Sequence, residues 1–214
     1  MKILLIAGHG QGDPGAVGNG YKEADLTREV VSLLKTQLDN YADVTIADTA
    51  KNWLNNSMNY SPYNYVLEIH FNAGVNDTKG NNGTTGTEIY ITTSEKTYGV
   101  ETNIVKGISS IGFKNRGVKR KNWAVISRVK KQGVSAALLE VCFIDDADDM
   151  WLYQKKKTEV IKAIANGIIN GFGLKPNDVE ILKNKVGLAD ETIEYLKAYK
   201  FGTELIRKIA NAVK

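Results

Sequence analysis

Only two histidines occur in this chain of 214 residues, and each ends a short apolar run. His9 closes Ile3-Leu4-Leu5-Ile6-Ala7-Gly8, and His70 closes Tyr65-Val66-Leu67-Glu68-Ile69 ahead of Phe71-Asn72-Ala73-Gly74. Short apolar runs bounded by Gly or Asn read as buried strands, and two strand ends can bring two imidazoles to one point. Imidazole is a common ligand for zinc. Two carboxylates are placed to join it. Glu140 stands in the apolar run Ala136-Ala137-Leu138-Leu139-Glu140-Val141-Cys142-Phe143. There an ionised group needs a cation, a hydrogen-bond network or a raised pKa. Glu23 opens the first helical pattern, which begins on the side where the first strand ends.

Two histidines and one carboxylate, with a fourth position left for water, form an arrangement used for hydrolytic zinc. In that chemistry the metal lowers the pKa of water to about 7. Glu140 takes the proton and later returns it to a departing amine, a shuttle that amide hydrolysis requires. Each residue also has a plainer reading. Either histidine can be a hydrogen-bonded structural residue, Glu23 a helix-start carboxylate facing the dipole, and Glu140 half of an internal salt bridge. The four are far apart in sequence, with no compact spacing such as His-Glu-x-x-His.

The elements that must position these groups alternate. Strands are expected at 2–7, 42–47, 64–70, 87–92 and 135–141. Helices are expected at 23–38, with Leu26, Val30, Leu33, Leu34 and Leu38 on one stripe, at 96–111 through Val100, Ile104 and Ile108, and at 158–169. Lys155-Lys156-Lys157 reads as a surface patch at the start of the last of these. The alternation predicts an α/β fold, a mostly parallel twisted sheet flanked by helices on both faces. Residues 48–63 and 78–86 are polar and rich in Asn, Gly and Ser, and read as loops. Asp145, Asp146, Asp148 and Asp149 read as a loop and helix-start charge cluster without the pattern of a calcium loop. Composition changes after Gly171-Phe172-Gly173, so the main domain is placed at 1–173 and a linker at 174–177. A small all-α C-terminal domain follows at 178–214, its apolar positions including Val186 and Leu205.

Bulk properties exclude several classes. A net charge of +4 with no basic helix or aromatic-basic stripe argues against nucleic acid as a partner. No apolar run approaches the roughly 20 residues that cross a bilayer, which argues against membrane insertion. The single Cys142 allows no intramolecular disulfide and reads as a small packed residue in a chain folded under reducing conditions. The opening residues carry no secretory pattern, so the expectation is a cytoplasmic protein.

Several segments recur in a fixed order: Ala7-Gly8-His9-Gly10, then Gly12-Asp13-Pro14-Gly15-Ala16, Gly20 and Glu23. Ile69-His70-Phe71-Asn72-Ala73, Gly86-Thr87-Glu88-Ile89-Tyr90, Asn115-Arg116-Gly117-Val118-Lys119 and Leu138–Ile144 follow. Taken together over residues 2–171, they resemble the zinc-dependent N-acetylmuramoyl-L-alanine amidases of the sporulation-autolysin and phage-endolysin type. The resemblance implies one zinc ion per chain held by His9, Glu23 and His70, with Glu140 as the catalytic carboxylate. It implies bacterial peptidoglycan as substrate, cut at the amide between N-acetylmuramic acid and L-alanine. Asn72 and Arg116 become possible substrate contacts. On this reading the protein accumulates in the host bacterial cytoplasm and acts on the wall after release. Residues 178–214 then serve as a wall-binding or targeting module, for instance toward a secondary wall polymer, with a structural cap or dimerisation element as the plainer reading. The family often begins its first motif Asp-Pro-Gly-His-Gly, where this chain has Ile6-Ala7-Gly8-His9-Gly10.

Two other functions compete. Gly10-Gln11-Gly12-Asp13-Pro14-Gly15 matches the glycine spacing of a dinucleotide-binding oxidoreductase, yet the helix pattern starts only at Glu23, so the glycines do not open it. A non-catalytic, zinc-containing wall-binding protein on the same fold would not need the buried carboxylate of Glu140.

Overall fold

The computed structural model describes residues 1–10 and 12–213. Gln11, in the glycine run just named, and Lys214 lie outside them. The chain divides into two compact units, Met1–Gly173 and Leu174–Lys214.

The first unit is built on six strands: β1 (Lys2–Ala7), β4 (Asp43–Ile46), β5 (Tyr65–Asn72), β6 (Thr87–Ile91), β7 (Asn115–Arg120) and β8 (Ser135–Phe143). They lie in the order β4-β1-β5-β8-β6-β7. Neighbours run parallel except β6 against β8. A two-stranded hairpin, β2 (Val17–Gly18) with β3 (Tyr21–Lys22), stands apart from this sheet. The central strands β1, β5 and β8 are apolar almost throughout because both of their faces are covered. The edge strand β7, Asn-Arg-Gly-Val-Lys-Arg, has no apolar run, and for that reason it is missing from the strands expected above.

Helix α1 (Glu23–Leu38), α2 (Gly99–Ser109) and α4 (Ala147–Phe172) pack on one face. The other face is closed by α3 (Ala124–Lys131) and the 48–63 loop. There Val125, Ile126, Val129, Trp53 and Tyr60 bury Leu4, Ile6, Val66 and Leu138. The sequence did not reveal α3, only eight residues long. In α1 the buried stripe is Leu26, Val30, Leu34 and Leu38, whereas Leu33 is turned outward and is 40% exposed.

Helix α4 corrects the expectation for 158–169. It starts eleven residues earlier, because Asp146 caps it by accepting the amides of Asp148 and Asp149. The Lys155–Lys157 triplet therefore lies inside the helix, with a kink at its middle residue Lys156, rather than at its start. The acidic run is consumed by backbone amides of the long loop before β6. Asp145 accepts from Gly74 and Asn76, Asp146 from Thr85, Asp148 from Asn81, and Asp149 from Gly86. These side chains fasten that loop to the start of α4.

The second unit is all-α. Helix α5 (Asp178–Ile181), capped by Asn177, runs into a π-helical turn at Leu182–Val186. Helices α6 (Asp190–Ala198) and α7 (Gly202–Val213) follow. Ile181, Leu182, Ile193, Ile206 and Ala210 form its core. Val186 and Leu205, expected inside, are 41% and 36% exposed. Among the described residues no helix is long and apolar enough to cross a membrane.

Candidate metal centre and active site

The carboxyl ends of β1 and β5 and the first residue of α1 meet at one place. His9 follows β1 by two residues in a left-handed backbone conformation, φ 64°, that turns the chain out of the sheet. His70 lies in β5 directly beside Glu140 of β8. Helix α1 is tied to the end of β1 by Thr27, whose hydroxyl donates to the carbonyl of Gly8 at 2.9 Å. Its first residue, Glu23, reaches between the two imidazoles. Oε1 of Glu23 is 2.8 Å from Nδ1 of His70 and accepts the backbone amide of Phe71 at 3.0 Å. Oε2 is 2.9 Å from Nε2 of His9 and accepts the amide of Ala16 at 2.9 Å.

The two imidazole rings cross at 77° with centroids 5.0 Å apart. His9, Glu23 and His70 each offer a ligand atom, and these lie within 4.8 Å of one another, so the group could hold a metal ion. The donor set, two imidazoles and a carboxylate, is that of hydrolytic zinc. Space is kept for it by glycine. A Cβ on Gly15, at φ +66°, would fall 2.7 Å from both Glu23 Oε2 and His9 Cδ2, and one on Gly8 would fall 2.4 Å from His70 Cε1.

Strong mutual electrostatics accompany this geometry. Burial works against charge on Glu23, but the hydrogen bonds from His70 and His9 outweigh it and hold its carboxyl far below the usual range. The hydrogen bond to Glu23 is the main influence on His9 and raises its pKa. Burial alone would lower that of His70, yet Glu23 and Glu68 overcome it and push it well up. Each histidine also meets a carboxylate on its outer nitrogen. Nδ1 of His9 donates to Asp13 at 2.9 Å, and Asn52 holds the same oxygen at 2.8 Å. Nε2 of His70 is 3.2 Å from Glu68.

Glu140 is pushed up to about 7, chiefly by burial, and its Oε2 is enclosed without a hydrogen-bond partner among the described residues. On its other side, across the β6–β8 pairing, is Glu88. That carboxylate is almost fully buried and collects the side chains of Asn72 at 2.9 Å, Tyr90 at 2.7 Å, Arg116 at 2.5 Å and Lys119. Asn72 borders the active-site cavity. Arg116 does not line it, and its guanidinium packs over Phe143, 4.8 Å from the ring centroid. The cavity, about 300 Å³, is lined by His9, Glu23, His70 and Glu140 together with the apolar side chains of Trp53, Leu54, Trp123, Val125 and Leu138. Cys142 is fully buried, and burial pushes its thiol well up, as suits a packed residue.

Residues 3–170 match the N-acetylmuramoyl-L-alanine amidase family. The chain belongs to that family. A sporulation-specific N-acetylmuramoyl-L-alanine amidase of Bacillus subtilis strain 168 is 32% identical over 188 residues, spanning 80% of this chain and 67% of the relative. The endolysin of Bacillus phage SPP1 is 27% identical over 187 residues, spanning 81% of this chain and 66% of the relative. Among solved structures, the catalytic domain of the amidase CwlV from Bacillus (Paenibacillus) polymyxa superposes with a TM-score of 0.64 at 23% identity, covering 82% of this chain and all of the other. A putative N-acetylmuramoyl-L-alanine amidase from Neisseria meningitidis gives a TM-score of 0.64 at 27% identity, covering 82% of this chain and 98% of the other. The protein is thus a peptidoglycan amidase with the sheet of amidase catalytic domains. The dinucleotide reading and the non-catalytic reading both give way to this one.

Asp13, Asn52, Glu68 and the tryptophans of the cavity were not singled out from the sequence. A signal existed for Glu68, the acidic residue in an apolar run two places before His70 and hence on the same strand face. Asn52, Trp53 and Trp123 come from segments whose position depends on the tertiary fold alone.

Proposed function

We propose that the amidase holds one zinc ion through His9, Glu23 and His70 and cleaves the amide between N-acetylmuramic acid and L-alanine, with Glu140 as general acid and base. The observation that supports this most is the meeting of those three ligand atoms within 4.8 Å beside Glu140, the cross-strand neighbour of His70. A bound zinc ion would supply positive charge that polarises a carbonyl and acidifies water. Glu140, pushed up to about 7, accepts a proton near neutral pH and gives it to the leaving nitrogen of L-alanine. The enclosed Oε2 suits this step, since among the described residues it has no partner to give up. Glu88 keeps Asn72 turned toward the cavity rim, where its position suits a substrate contact. Arg116 is engaged by Glu88 and packed on Phe143, so we assign it to the support of that rim, with any direct contact made at its outer edge. Trp53, Leu54 and Trp123 shield the scissile bond from bulk water.

Residues 1–173 carry the catalysis in this reading, and the unit beyond the 174–177 linker binds the wall. Its exposed Tyr195, Tyr199 and Phe201 suit contact with a wall polymer. Likeness to an endolysin supports action on the wall after release from the host cytoplasm. Mass spectrometry of digested peptidoglycan tests the reaction: stem peptides released with new L-alanine amino ends, and glycan strands left intact, are expected. Cut glycan strands, or cleavage within the stem peptide, would refute it. For the second unit, replacing Tyr195 and Tyr199 by Ser in the full chain should weaken sedimentation with purified walls while leaving cleavage of soluble muropeptides unchanged.

A further inference from the structure

Glu68 is a buried carboxylate that the proposed reaction does not use. It precedes His70 by two residues on β5, so both side chains stand on one face of the strand. It is 5% exposed, and its Oε2 is enclosed without a hydrogen-bond partner among the described residues. Among the described residues, its one ion-pair partner is His70, through Oε1 at 3.2 Å from Nε2. A carboxylate in such a place is costly to keep unless it does something for the group it touches.

That group has a choice to make. A neutral imidazole carries one N–H and one lone pair, and only the lone pair can bind a cation. Nδ1 of His70 faces Glu23 at 2.8 Å, on the side shared with His9. Nε2 diverges from it across the ring and faces Glu68. We infer that Glu68 is a positioning residue for the metal centre: it accepts the Nε2–H of His70, fixes the ring plane, and leaves the lone pair on Nδ1 toward the ion. The inference rests on the zinc reading proposed above. Glu68 does not itself complete the ligand set, because it meets the opposite nitrogen from the one that faces Glu23. His9 is arranged in the reverse sense, its Nε2 toward Glu23 and its Nδ1 toward Asp13. The centre therefore uses a different nitrogen of each histidine, with a carboxylate behind each. Such outer partners typically change metal affinity 10- to 100-fold.

The test is zinc affinity, measured by competition with a chromophoric chelator, for the full-length wild type, Glu68→Gln and Glu68→Met. The amide oxygen of Gln still accepts the Nε2–H, so Glu68→Gln should stay within a few-fold of wild type. Glu68→Met fills similar volume without an acceptor and should lose roughly 10- to 100-fold, with an altered cobalt(II) spectrum. Its metal-free melting temperature should not fall. Wild-type affinity in Glu68→Met overturns the inference. Equal loss in both variants overturns it too, because that would make Glu68 a ligand or a needed charge. A second measurement needs no variant. Nitrogen-15 spectra of the zinc-loaded wild type, with two histidines to assign, should place the His70 proton on Nε2, and a proton on Nδ1 refutes the assignment even if the variants misfold. A wild type that binds no zinc fails the reading of the centre itself and takes this inference with it. Zinc-binding wild type with any of the contrary results fails the inference alone.

Discussion

Replacing Gly8 by alanine should empty the metal centre without unfolding the protein. Gly8 has no left-handed φ, so its backbone accepts alanine. The obstacle is His70. A Cβ on Gly8 would lie 2.4 Å from Cε1, 2.6 Å from Nε2 and 2.7 Å from Nδ1 of that ring. Carbon contacts are comfortable from about 3.5 Å, so the ring must retreat by about 1 Å. It has little room, being held on Nδ1 by Glu23 and on Nε2 by Glu68. A histidine nitrogen binds zinc at about 2.0–2.1 Å, and misplacement by about 1 Å costs on the order of 100-fold. Stability changes less. Alanine restricts the unfolded chain, worth about 0.4–1 kcal/mol, against roughly 1–3 kcal/mol for overpacking. The net loss of about 1 kcal/mol lowers the melting temperature by only about 2–4 °C in a chain of this size. The binding effect therefore exceeds the folding effect, and the two separate experimentally. Zinc competition, wall-turbidity clearance and thermal melting of Gly8→Ala should show a folded protein with weak zinc binding and at least roughly 100-fold slower lysis. Gly99→Ala, with no atom within 4 Å of its new Cβ, is the matched control and should behave as wild type. Zinc affinity and lysis within twofold of wild type in Gly8→Ala would refute the placement of His70.

Glu140→Gln should retain zinc and lose about 10²–10⁴ in the rate of amide cleavage, and full lytic activity would remove the assigned role. Glu101 is buried in α2, accepts the Tyr65 hydroxyl at 2.8 Å, and has its pKa raised chiefly by burial. Its stabilising contribution is therefore complete below the ordinary carboxylate range and is lost as pH rises through the raised value. Glu101→Gln, which keeps an acceptor for Tyr65, should be more stable than wild type at pH 8 and no more stable at pH 4. Urea titrations at both values check this, and a gain confined to pH 4 would reverse the sign. Asp149 accepts the amides of Gly86 at 3.0 Å and Phe143 at 2.8 Å while fully buried. Asp149→Ala strands both N–H groups, at about 1–3 kcal/mol each, so urea unfolding should show a loss of roughly 2–6 kcal/mol. Proteolysis should then cut the loop before β6, and an undisturbed loop would contradict its fastening by Asp149.

The sheet was legible because its central strands are buried on both faces and so read as unbroken apolar runs. Lys2–Ala7 appears with the same bounds in sequence and structure, β8 runs two residues further at its carboxyl end, and β5 starts one residue later and ends two residues later than expected. Edges were harder. β7 pairs on one side only and draws its order from a neighbour's backbone and from Glu88, neither of which leaves an apolar pattern. The start of α4 was hidden for a related reason. Its first residues are acids that look like loop until their carboxylates are seen to hold amides from a segment more than sixty residues away.

The meeting of His9, Glu23, His70 and Glu140 could be anticipated because strand ends in an α/β sheet converge on one side. What surrounds them could not. The side of a histidine that faces inward is decided by the partner on its other nitrogen, and for His9 and His70 those partners differ in origin. Asp13 comes from the turn after β1, steadied by Asn52 thirty-nine residues later. Glu68 comes from the same strand as its histidine and would have been accessible to a reading that took strand alternation seriously once Tyr65–His70 was recognised. The difference is physical. Contacts within one regular element are written in its periodicity, whereas contacts between a turn and a loop depend on the closure of the whole sheet. Arg116 follows the same logic. Its charge suggested a substrate carboxylate, but burial of Glu88 on the adjacent strand creates a stronger claim on it, and that claim appears only when β6 and β7 are paired.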